Sequence, residues 1–88
     1  MGAEAAALEF PCDFPIKVMG RRQEGFAQDV ARIVNAHAPD YDGESMQMRA
    51  SRQGRYLCLT CTIHARSREQ LDALYRALCA HPGVAMVL

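Results

Sequence analysis

The chain predicts an α+β fold in the order βαββαβ: a four-stranded antiparallel sheet with two helices on one face. Three observations lead there. Apolar residues alternate with period two in three short segments, and a short apolar run closes the sequence. They recur at helical spacing in two others. Finally, 88 residues, half of them hydrophobic, suffice for one modest core and no more.

Residues 1–9 are rich in Ala and Glu and read as a disordered lead-in to a single domain over 10–88. The first strand is expected over Asp13–Met19, where Phe14, Ile16 and Val18 alternate with Pro15, Lys17 and Met19. Gly20 is expected to end it. From about Gln23 to His37, the positions of Phe26, Val30, Ile33, Val34 and His37 share one helical face. Pro39 cannot continue that helix, and Asp40-Tyr41-Asp42-Gly43 reads as an acidic connecting turn.

Met46, Met48 and Ala50 alternate with Ser45, Gln47, Arg49 and Ser51, which predicts the second strand. Arg52-Gln53-Gly54-Arg55 is a short hairpin loop. The third strand is expected from Tyr56 to about Ala65. It puts Leu57, Leu59, Cys61 and Ile63 on one side and Tyr56, Cys58, Thr60, Thr62 and His64 on the other. Ser67, followed three residues later by Gln70, has the capping-box spacing that opens a helix. Leu71, Leu74, Tyr75 and Leu78 are its buried stripe, His81-Pro82-Gly83 stops it, and Val84–Leu88 is a terminal strand.

Two right-handed βαβ crossovers joined by a hairpin give the ferredoxin-like plait, with strand order 4-1-3-2. Phe14, Ile16, Val18 and the Leu57–Ile63 series should meet the helices. The opposite sheet face is left open, with Met19 and Val87 adding apolar area beside Tyr56.

Ten Lys/Arg balance ten Asp/Glu, so net charge argues against a strongly basic nucleic-acid binder. No run approaches the roughly 18–20 apolar residues needed to span a bilayer, and the first residues lack a signal-peptide pattern. The expected location is cytoplasmic, without membrane association. Cys58 and Cys61 form a C-x-x-C pair, but an offset of three on a strand sends the two sulfurs to opposite faces. No metal site or cofactor is expected. The three histidines lie on separate elements, no nucleophile motif is present, and no catalytic residue is assigned.

Gly20-Arg21-Arg22 is the candidate ligand site. A glycine between strand and helix lets backbone N–H groups approach an anion, and two guanidiniums add charge-assisted contacts. Residues 45–68 carry Arg49, Arg52, Arg55, Arg66 and Arg68 with no acid. A basic hairpin of this kind suits RNA, but the third strand lacks the aromatic pattern that stacks bases. Lys17, Arg49, Tyr56, Thr60, Thr62 and His64 form a candidate interaction face on the open side of the sheet.

The chain also resembles a known family, the YbeD-like small bacterial proteins. The matching pieces begin with Phe10-Pro11, Phe14 through Gly20, and His37-Ala38-Pro39. They continue through Ser51, Gly54-Arg55-Tyr56, Thr60, Thr62, Gln70, Tyr75 and Leu78 to Met86-Val87-Leu88. The resemblance implies a ferredoxin-like plait similar to ACT-type regulatory domains, with a suggested link to lipoate metabolism and no catalytic residues. It makes Gly20 an effector-binding position and a homodimer the expected assembly. The function expected is therefore a small non-enzymatic effector-sensing module for an anionic ligand. The alternative is a protein-interaction adaptor using the open face or an edge strand, with RNA binding a weaker reading.

Overall fold

The computed structural model describes residues 9–88. But for Glu9, the lead-in expected over 1–9 lies outside the described residues. The strands are β1 (Cys12–Arg21), β2 (Gln47–Ala50), β3 (Tyr56–Ala65) and β4 (Val84–Val87). The helices are α1 (Phe26–His37) and α2 (Arg68–Cys79), and a short 3-10 turn spans Gly43–Ser45. All pairings are antiparallel, in the order β2-β3-β1-β4, which is the predicted plait.

The two long strands make the centre of the sheet, pairing without a break from Cys12 opposite Ala65 to Arg21 opposite Tyr56. That register puts Ile16 opposite Cys61 and Val18 opposite Leu59, all fully buried. Against them pack Phe26, Val30 and Val34 of α1 and Leu71, Leu74 and Leu78 of α2. Each large aliphatic side chain removed from water this way contributes about 1.5–3 kcal/mol. The helices form because their apolar residues fall three and four apart and so face one direction.

Ser67 caps α2 as its spacing predicts, accepting the Gln70 N–H at 3.1 Å. The return half of the box differs. Gln70 Oε1 accepts from the Arg66 N–H at 2.6 Å, and its Nε2 donates to the His37 carbonyl at 2.8 Å. One side chain thus fastens the start of α2 to the end of α1.

Four boundaries depart from the sequence reading. β1 runs on to Arg21, because β4 and β3 both flank Gly20 and carry the ladder past it. α1 begins at Phe26 rather than near Gln23, since Gly25 before it takes the left-handed conformation, φ 85°. β2 is only four residues long, and all four are exposed. Met46 is displaced from it by the 3-10 turn, which Asp42 caps by accepting the Glu44 N–H at 3.0 Å. The fourth departure is in β4, where a register shift opposite Met19 and Gly20 leaves Ala85 as the extra residue.

Tyr41 is the largest surprise in the core. Its sequence neighbourhood is an acidic connecting turn, yet it is 7% exposed and belongs to the core cluster. Its backbone is held by two bonds, its N–H to the Ala38 carbonyl and its carbonyl to Asn35 Nδ2, each at 2.9 Å.

Candidate functional site

The sheet has a covered face and an open one, and the register assigns every residue of the open face. One row crosses all four strands: Arg49 of β2, Cys58 of β3, Met19 of β1 and Met86 of β4. The next row holds Gln47, Thr60 and Lys17. Leu88 continues it, since its N–H and carbonyl exchange hydrogen bonds with Lys17 at 2.8 and 3.1 Å. Toward the hairpin end, Arg21 lies opposite Tyr56. At the far end Thr62 is opposite Pro15, and His64 is opposite Asp13.

Lys17, Arg49, Tyr56, Thr60, Thr62 and His64 therefore all lie on the open face, but they are spread along its length. Tyr56 and His64 are eight residues apart on one strand, roughly 26 Å. His64 Nδ1 stands 3.5 Å from Asp13 Oδ1, at the opposite end from the arginines. Lys17, Arg49 and Thr60 do come together, around a depression of about 450 Å³ completed by Gln47, Met48 and Cys58. A second hollow of about 300 Å³ adjoins it, lined by Met19, Ala50, Tyr56, Leu57 and Met86, with Arg49 on the shared edge.

Val87 does not belong to this face. It pairs with Val18 and packs inward on the core, and the register shift turns Val84 inward as well. Met86 and Leu88 take the outward positions, at 51% and 59% exposure.

Arg21 and Arg22 lie where β1 ends and the chain turns toward α1, with Gly20 one residue inside the strand. Gly20 is buried inside β1, and a Cβ there would stand 2.3 Å from the Gly83 carbonyl oxygen and 2.5 Å from the Phe26 ring. Its need for glycine is explained by this close approach. Arg22 is drawn toward the β2–β3 hairpin: its N–H donates to the Arg55 carbonyl at 2.8 Å, and its Nη1 lies over Gly54. Arg21, Arg22, Arg55 and Tyr56 together line a depression of about 390 Å³. Arg55 is the member that sequence reasoning missed, although the acid-free run that contains it was a usable signal.

No carboxylate among the described residues forms an ion pair with Lys17, Arg21, Arg22, Arg49 or Arg55. Asp13 lies at the far end of the open face and Glu24 between β1 and α1, while Asp29 is on α1, Asp40, Asp42 and Glu44 follow it, and Glu69 and Asp72 are on α2. Zero net charge thus hides a local excess of cations at the hairpin end of the open face, while the helices carry acids and arginines in equal number.

The remaining candidates take structural roles. Cys61 is buried on the helix side while Cys58 lies on the open side, so the C-x-x-C sulfurs diverge as strand geometry requires. Burial pushes the Cys61 thiol up from its ordinary range, which disfavours a reactive thiolate. His37 contacts the Ile33 carbonyl through Nδ1 at 3.0 Å. His81, read from sequence as part of a helix stop, has a side chain just 20% exposed. Its Nε2 is 3.0 Å from Asp29 Oδ2, its Nδ1 accepts the Gly83 N–H at 2.9 Å, and its ring meets Phe26 edge-on. Among the described residues no helix is long and apolar enough to cross a membrane.

A family profile described as "Protein of unknown function (DUF493)" matches residues 5–88. The chain belongs to this family. Curated relatives agree with it and bear out the YbeD-like resemblance. A UPF0250 protein of Nitrosomonas europaea is 56% identical over 97% of this chain and 98% of its own. One from Bordetella pertussis is 52% identical, covering 97% and 93%, and one from Ralstonia nicotianae 53%, covering 92% and 84%. In fold, the DUF493 chain is similar to the ACT domain from the GTP pyrophosphokinase of Chlorobium tepidum. Its solution structure matches with a TM-score of 0.66 at 18% identity, over 86% of this chain and 84% of that one. Its crystal structure matches with a TM-score of 0.62 at 16% identity, over 88% and 97%. That likeness is one of fold.

Proposed function

We propose that this DUF493 protein is a small non-enzymatic regulatory module that senses an anionic small molecule at Arg21, Arg22 and Arg55. The observation that carries the reading is the cluster itself: three guanidiniums and the Tyr56 ring around one depression, with no acid paired to them. Guanidinium groups in this setting favour carboxylate or phosphate, which they can bind in bidentate fashion. Gly20 acts behind them by letting β1, Phe26 and the Gly83 turn close together, which fixes the position of Arg21. The fold likeness to an ACT domain supports a regulatory role. On this reading the protein works in the cytoplasm, as a homodimer paired through an edge strand, and a connection to lipoate metabolism puts lipoate and octanoate among the ligands to try.

A thermal-shift screen against amino acids, lipoate, octanoate, nucleotides and common anions tests it. A ligand at ~100 times its Kd stabilises by about 2.7 kcal/mol, enough to move the midpoint of so small a domain by roughly 10 °C. The Arg21→Ala/Arg22→Ala double variant should lose that response while keeping its own midpoint. A response unchanged in the double variant overturns the proposal.

A second reading, a protein-interaction adaptor, has its own observation. Met19, Tyr56, Met86 and Leu88 place apolar area on a sheet face that no helix covers. A flat ligand screen with a well-folded protein would favour it.

A further inference from the structure

We infer that the open sheet face docks an acidic segment of a partner protein through one large apolar anchor residue. The inference rests on the adaptor reading and specifies the partner's chemistry. Its basis is the row Arg49–Cys58–Met19–Met86, which runs across the whole sheet and floors the 300 Å³ hollow. That space is at the small end of ligand cavities and is open to the surface, which suits one inserted side chain better than an enclosed small molecule. Methionines at the wall adapt to the shape of an aliphatic or aromatic anchor. Lys17 and Arg49 flank one side of the hollow, and Arg21, Arg22 and Arg55 stand past Tyr56 on the other. Cations without partners on both sides of an apolar hollow are complementary to acids on both sides of an apolar residue.

The same charges argue against the other occupants. A second copy stacked face to face along the Arg49–Met86 row would oppose one basic surface to another, with the cations Lys17, Arg21 and Arg49 of each copy brought near those of the other. Single-stranded RNA would meet the cations but find beside them, among the described residues, one exposed ring, Tyr56, with the His64 imidazole at the far end of β3. The cross-strand partner of Tyr56 is Arg21, and the neighbours along β1 are Met19 and Lys17, so two successive bases have no stacking platform.

Selection of a displayed random twelve-residue peptide library on the immobilised full chain tests the inference. The recovered peptides should carry a large apolar residue flanked on both sides by Asp or Glu. A synthetic peptide of the recovered consensus should bind by fluorescence anisotropy, weaken at least tenfold when the anchor is changed to Ser, and weaken with added salt. Met86→Asp and Arg49→Glu, both at exposed positions, should each reduce binding at least tenfold while the thermal midpoint holds. Recovery of no consensus, of one without acids, or of one that binds both variants undiminished overturns the inference. So does tighter binding of a mixed-sequence twelve-nucleotide RNA that the same two variants abolish, or a concentration-dependent dimer that a change on the central strand, Lys17→Glu, dissociates. Because Met86→Asp leaves Arg21, Arg22 and Arg55 untouched, loss of peptide binding with a retained small-anion response separates this inference from the effector reading.

Discussion

The ring of Phe26 occupies the space where a side chain on Gly20 would stand, with Cζ 2.5 Å from the would-be Cβ and the Gly83 carbonyl closer still. Strand, helix and terminal turn meet at this one point, and both neighbours are held, one by the core and one by the backbone. Gly20→Ala should therefore cost at least about 1–3 kcal/mol through overpacking, measured by urea unfolding. Gly25→Ala has open space around it but a φ of 85°, so its cost should be the smaller strain of the left-handed region, about 1–2 kcal/mol. Equal stability of Gly20→Ala and wild type would show that the close approach is not a constraint.

Gln70 links two helix ends by accepting from Arg66 and donating to the His37 carbonyl. Gln70→Ala should cost about 1–2 kcal/mol, and Ser67→Ala, which removes the cap, about 1 kcal/mol. The two share the first turn of α2, so the double variant should fall short of the sum. Strict additivity in a double-mutant cycle would show that they act separately.

Asp29 receives a hydrogen bond from His81 and a second interaction from Arg32, and these hold its carboxyl below the ordinary carboxylate range. A depressed carboxyl stabilises the fold above its unfolded pKa, and that stability is lost as pH falls through the lower folded value. As pH falls below about 4 the wild type should thus lose stability more steeply than Asp29→Asn. Acid-unfolding curves of the two proteins provide the check. Parallel curves would mean that the Asp29–His81 contact does not couple to folding.

The Tyr41 hydroxyl is buried without a hydrogen-bond partner in good geometry, although the Cys61 thiol lies close. Burial is the main reason its ionisation is pushed far above the ordinary tyrosine range. Removing a buried hydroxyl that lacks a partner spares its desolvation, so Tyr41→Phe should leave stability unchanged or raise it by about 1 kcal/mol. Tyr41→Ala, which empties the site, should cost about 3–5 kcal/mol. A large loss in Tyr41→Phe would reveal a hydrogen bond from the hydroxyl.

Much of the architecture is legible in residue patterns, for reasons that the structure makes plain. Phe14, Ile16 and Val18 alternate because β1 is central and has one covered face, and Phe26, Val30 and Val34 recur because α1 lies on that face. Pairwise alternation could not assign Met86 and Val87, since the shift at Ala85 depends on which β1 residue each meets. Met48 alternates like a half-buried strand residue, yet it is 57% exposed because β2 is a short edge that the helices do not reach far enough to cover. Tyr41 sits among acids in sequence, and only the fold of the connector brings it inward. At the candidate site the charges were visible in the chain, but the meeting of Arg22 with Arg55 depends on a backbone bond between β1 and the hairpin.

The central claim, that Arg21, Arg22 and Arg55 form one anion site, is tested most directly by nuclear magnetic resonance. Amide and arginine side-chain N–H signals of the isotope-labelled chain would be followed while inorganic phosphate, free amino acids, lipoate and octanoate are titrated in turn. The account predicts saturable shifts from at least one of these anions, largest at Arg21, Arg22, Arg55 and Tyr56 and absent in the Arg21→Ala/Arg22→Ala variant. Shifts centred elsewhere, such as the His64–Asp13 end of the sheet, or no saturable shift from any of the panel, would contradict it.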